Sequence, residues 1–109
     1  MNGFFTANKT TVEYNTKTHK TIKYSTKMKY EISKIAKSQY LMKQSDLTSN
    51  DIIYILFVKR GKGYISASYQ SGIDNLFIDD KCNLIHSWSD NENSSGVLIN
   101  AYAKLKKVK

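Results

Sequence analysis

The sequence predicts an α+β fold, one domain over residues 1–109 with an antiparallel sheet of about five to six strands and two helices in the order ββαββββα. Three observations predict it. From Ile22 to Ile32 apolar residues hold most even positions and Lys23, Lys27 and Lys29 hold odd ones, the period of a half-buried strand. Ile52 to Val58 is an unbroken apolar run of branched and aromatic residues, suited to a central buried strand. Two further segments place apolar residues at helical spacing.

In chain order, Thr10, Val12 and Tyr14 alternate with Thr11 and Glu13, and the polar stretch Asn15–His19 joins them to the lysine-bearing strand as an N-terminal hairpin. Past Ile32 the period changes. Ile32, Ile35, Ala36 and Tyr40 fall on one helical face with Lys34, Lys37 and Lys43 outward, which predicts a helix over about Ser33–Lys43. The polar connector Ser45–Asp51 leads into the Ile52–Val58 strand, and Lys59-Arg60-Gly61-Lys62-Gly63 turns it into a hairpin partner over Tyr64–Tyr69. A second hairpin pairs Leu76–Ile78 with Leu84–Trp88 across Asp79–Asn83. After the polar loop Asp90–Ser95, Ser94 or Ser95 is placed to cap a helix carrying Val97, Leu98, Ala101, Leu105 and Val108 on one face. Residues 1–8 and 107–109 are expected to be loose.

The formal net charge is +8, and its distribution is uneven. Residues 1–45 hold nine lysines against Glu13 and Glu31, whereas residues 46–100 hold four basic residues against seven acidic ones. The last nine residues add four more lysines. A positive field of this kind raises encounter rates with polyanions, so nucleic acid or an acidic protein surface is the expected partner. Arg60 is the only arginine, which argues against base-specific reading, because the guanidinium is the better bidentate reader of guanine. AT-rich coding also enriches Lys, Asn, Ile and Tyr, so composition alone competes with selection for a ligand.

No window is apolar enough to span a membrane, and the first residues lack a secretory pattern, so a cytoplasmic location is expected. The single Cys82 cannot form an internal disulfide. Cys82, His86, Asp79 and Asp80 lie close in sequence and invite a nucleophile or metal reading, but a turn cysteine and a surface histidine explain them more simply, and no catalytic or metal-binding residue is expected. Arg60-Gly61-Lys62-Gly63 lacks the spacing of a phosphate-binding loop. The order of elements from Ile52 to Lys107 is similar to the cofactor half of N-acetyltransferases, yet Trp88–Gly96 has one glycine and two acids where that family has a Gln/Arg-x-x-Gly-x-Gly/Ala turn, so no cofactor is expected.

The candidate binding residues are Lys23, Lys27 and Lys29 at the centre, with Lys20, Lys34, Lys59, Arg60 and Lys62 around them. The expected activity is non-catalytic binding of nucleic acid or a nucleoprotein complex through phosphate contacts. The competing explanation is a solvated edge strand whose lysines prevent sheet-to-sheet aggregation. The alternative function is a phage or mobile-element protein that inhibits a host factor, such as a defence nuclease, by protein contact. A tyrosine-rich edge is also suited to pairing across a symmetry axis, which leaves a homodimer open.

Overall fold

At Ser38 the backbone takes φ 61°, and the segment expected to run on as a helix turns back on itself. The computed structural model describes residues 1–66, 72–90 and 96–108. They form β1 (Gly3–Asn15), β2 (Thr21–Ala36), β3 (Gln39–Asp46), β4 (Ile52–Arg60), β5 (Gly63–Ser66), β6 (Ile73–Ile78), β7 (Leu84–Asp90) and β8 (Val97–Lys107). Each strand pairs antiparallel with the next and β8 pairs with β1, closing the sheet into a barrel. The fold is therefore all-β, and the α+β class with its ββαββββα order is corrected.

Both helices fail for a physical reason. Ile32 and Met42 lie opposite each other across β2 and β3 and are buried, but Ile35, which a helix would have placed beside Ile32, is 53% exposed. In β8, Ala101, Ala103 and Leu105 are buried at period two while Leu98 and Val108 are exposed. Alanine, lysine and leucine favour a helix locally, and pairing to β1 on one side and β7 on the other overrides that preference. The small alanines have a use here. Ala103 stands beside His86 and Ala101 beside Trp88, so small residues leave room for large neighbours inside a narrow barrel.

Two further expectations are corrected. Residues 3–8 and Lys107 belong to paired strands rather than loose ends. The run Ile52–Val58 is not buried throughout: Ile52, Ile53 and Tyr54 are exposed and Phe57 alone is fully buried. The expected strand over Tyr64–Tyr69 is described only as far as Ser66, and Ala67, Tyr69, the capping Ser94 and Ser95, and Lys109 lie outside the described residues.

The chain has no proline, and three of its turns are built by side chains. Asn15 Oδ1 accepts from the amides of Lys17 and Thr18, Asp46 Oδ1 from Thr48 and Ser49, and Asp79 Oδ1 from Lys81 and Asn83. These are Asx turns, each followed by a residue at positive φ: His19, Asn50 and Cys82. Gly72 is held differently. Its φ is +80°, and a Cβ there would meet the Ser89 carbonyl and come within 2.7 Å of Trp88 Nε1. Gly72→Ala is expected to cost roughly 2–3 kcal/mol from backbone strain plus overpacking, read as a lower urea midpoint at unchanged slope.

One apolar cluster fills much of the interior, with Phe5, Met28, Ile32, Met42, Phe57, Leu76, Ala103 and Leu105 packed together with Tyr30. Buried Thr11, Gln44, Ser66, His86 and Asp90 are set among them: His86 lies opposite Leu76 and Ala103, Gln44 opposite Tyr30, and Ser66 opposite Phe57.

Candidate nucleic-acid interface

Alternation along β2 turns Met28, Tyr30 and Ile32 into the barrel, so Lys23, Lys27 and Lys29 emerge on its outer wall, all exposed. The neighbouring strands extend this surface. Thr6 of β1 is paired with Lys29 on one side and Lys106 of β8 on the other, so these lysines bracket a polar strand at about 10 Å separation, two strand spacings. Asn8 and Thr10 continue the strip along β1, and Tyr102, paired with Thr10, is 51% exposed beside exposed Lys104 and Lys106. Among the described residues no lysine lies within ion-pair distance of a carboxylate. Lys104 does lie within electrostatic range of Asp79, and Glu31, opposite Lys43, marks the acidic margin of the wall.

The other sequence-predicted residues are not gathered onto this wall. Lys20 sits in the β1–β2 turn, while Lys34 lies near the end of β2 and Lys59, Arg60 and Lys62 lie at the β4–β5 hairpin, at the opposite end of the barrel. All five are exposed. Lys104, Lys106 and Tyr102, which do share the wall, were missed because the segment was assigned to a helix. The strict alternation Ala101-Tyr102-Ala103-Lys104-Leu105-Lys106 was the signal that could have found them.

A second polar constellation lies inside. His86, read from sequence as a surface residue, is 2% exposed, with Nε2 2.7 Å from Asp74 Oδ1. Its ring meets Tyr30 and Phe57 edge-on at 5.7 and 6.1 Å. Cys82 is exposed in the β6–β7 turn, and Asp79 spends its hydrogen bonds within that same turn. The four residues that invited a nucleophile reading are thus divided between a buried wall and an exposed turn. Among the described residues no group of three or more His, Cys, Asp or Glu side chains is arranged to hold a metal ion.

Comparison with protein-family models, with curated proteins and with solved structures finds no match to this chain. The functional reading rests on its own geometry.

Burial dominates the electrostatics of the interior. Desolvation lowers the Lys9 ammonium from its ordinary range, opposed by the Asp46 and Asp74 carboxylates. The amides of Ser49 and Thr48 hold the Asp46 carboxyl below its usual range. Burial, with the Asp74 charge adding to it, pushes the Tyr30 phenol well above the ordinary tyrosine range. A phenol raised in the folded state keeps its proton there while the unfolded chain loses it, so this contribution is intact below about pH 10 and is lost above it, by about 1.4 kcal/mol per pH unit. Lys9, whose ammonium is lowered by burial, acts with the opposite sign in the window just below the ordinary lysine value of 10.5. Tyr30→Phe is therefore expected to flatten the alkaline fall in urea midpoint above pH 10, and equal slopes for both chains would contradict the assignment.

Proposed function

We propose that this chain is a non-catalytic binding protein for nucleic acid, contacting the sugar-phosphate backbone through the outer wall of β8, β1 and β2. The observation that carries the reading is the double row of lysines, Lys23, Lys27 and Lys29 on one side and Lys104 and Lys106 on the other, flanking a polar strand with Tyr102 exposed beside it. Lysines at this spacing neutralise phosphates without reading bases. An exposed tyrosine on a cationic sheet offers a face on which a base can stack, which favours single strands over duplex. A β-sheet wall also lacks the protruding helix that enters a major groove.

The test is a fluorescence-anisotropy titration of an unstructured oligonucleotide across a salt series. With about five phosphates neutralised, log affinity should fall against log salt with a slope near −3.5 for a single strand, about 130-fold between 50 and 200 mM. Absence of binding at the lowest salt would remove the reading.

A protein partner is the second reading, and one feature favours it. On the far side of the barrel Leu41, Leu56, Val58 and Ile65 point outward in cross-strand register with exposed Ile52 and Tyr54 nearby. Failure to bind nucleic acid together with a defined complex lost on Tyr54→Lys would favour that surface.

A further inference from the structure

We infer that the open edge of β2 from Thr21 to Thr26 is a strand-addition site for an extended acidic peptide, which pairs with it as a further strand. The site is independent of the nucleic-acid reading. It uses backbone groups along an edge, whereas that reading uses side chains on the outer wall.

β3 ends before it covers this stretch. Its last pair with β2 joins Asp46 to Met28, and the Leu47 N–H then donates to the Lys27 carbonyl before the Asx turn at Asp46 diverts the chain. That last bond sets the direction of every group beyond it. In an antiparallel strand the N–H and C=O of one residue point to the same side, and the side alternates along the chain. The register with β1 is unbroken from Thr21 to Ile32. Because the Lys27 carbonyl points away from β1, the N–H and C=O groups of Thr21, Lys23 and Ser25 point away from it too. Among the described residues no strand pairs with them on that side, and Thr21 to Ser25 are all exposed. A row of unmet donors and acceptors along a strand is a template for another strand.

The side chains define what that strand must carry. On the inner side the edge presents Ile22, 60% exposed, and Tyr24, 45% exposed, and the Tyr24 hydroxyl donates to Glu13 of β1 at 2.6 Å. On the outer side it presents Lys23 and Lys27, both exposed and, among the described residues, outside any ion pair. A strand of period two laid along this edge therefore meets apolar ground at one set of positions and cations at the other. Apolar residues alternating with Asp or Glu match both. A second copy of β2 does not, since pairing would set its own Lys23 and Lys27 on the same face as these.

The test titrates the intact, nitrogen-15-labelled chain with a blocked peptide of about eight residues alternating Val and Glu, reading the backbone amides of Lys23 and Ser25. Three further peptides are compared with it. One replaces Glu by Lys, one is N-methylated at its glutamates, and one is N-methylated at its valines. With the glutamates on the lysine side, their amides face the edge and those of the valines face away, so only the first methylation blocks pairing. Saturable shifts are expected from the unmodified and valine-methylated peptides, with affinity at least tenfold above the other two. Ser25→Pro removes an N–H that makes no bond to β1, at an edge position where proline is tolerated, and should also lose at least tenfold. If that variant does not fold, the two methylated peptides on the unaltered chain decide. No saturable shift, equal affinity for the two methylated peptides, equal affinity for the lysine peptide, or affinity unchanged in folded Ser25→Pro would overturn the inference. So would shifts confined to Lys29 and Lys106, which would show attraction to the wall without pairing at the edge.

Discussion

Phe57→Ala is expected to destabilise the barrel by about 3–5 kcal/mol, a large part of the roughly 5–15 kcal/mol that holds a domain folded. Phe57 is 0% exposed, faces Tyr40 on β3 and Ser66 on β5, and meets the His86 ring edge-on. Its removal deletes a large ring packed between the apolar cluster and His86, where the closed sheet has little freedom to collapse onto the space. Tyr54→Ala, in the same apolar run, should change stability by no more than about 0.5 kcal/mol, since Tyr54 is 62% exposed on the outer wall. Urea unfolding of both variants checks the contrast, with the midpoint moving at constant slope. Equal losses at the two positions would mean that β4 is covered on both faces.

The triple reversal Lys27→Glu, Lys29→Glu and Lys106→Glu is expected to have the largest effect on binding. It leaves about two of the five wall lysines to meet phosphates, so the single-strand salt slope should shrink from near −3.5 to near −1.4, and the loss between 50 and 200 mM from about 130-fold to about 7-fold. Reversal at Lys34, Arg60 and Lys62 changes the net charge by the same amount but touches the end of the barrel and not the wall. It should leave the slope near its original value. Indistinguishable slopes for the two triple variants would show that net charge, and not placement, drives association.

The strands of this fold were more legible than its closure. Odd-numbered Lys23, Lys27 and Lys29 could be placed on a common face because Met28, Tyr30 and Ile32 mark the opposite one without interruption. The segment after it was ambiguous because the inward positions of β3 include Gln44 and Asp46, polar residues that break the apolar alternation a reader relies on. In β8 the inward residues Ala101 and Ala103 are small helix formers, so local propensity contradicted the pairing. β4 misled in the opposite direction, since Ile52 and Tyr54 suggest burial yet face outward near the barrel's end. The polar interior was invisible for a related reason: His86, Asp74, Lys9 and Gln44 lie on different strands, and only the cross-strand register brings them together.

Partners on β2 change partway along its length. From Met28 to Ile32 it is paired on both sides, but from Thr21 to Thr26 its pairing is with β1 alone. Every second amide in that stretch faces away from β1, so deuterium should enter there long before it reaches the segment from Met28 to Ile32. Lys23 is carried on the fraying lip and Lys29 on the rigid staves, which gives one row of cations both a compliant finger and a fixed anchor.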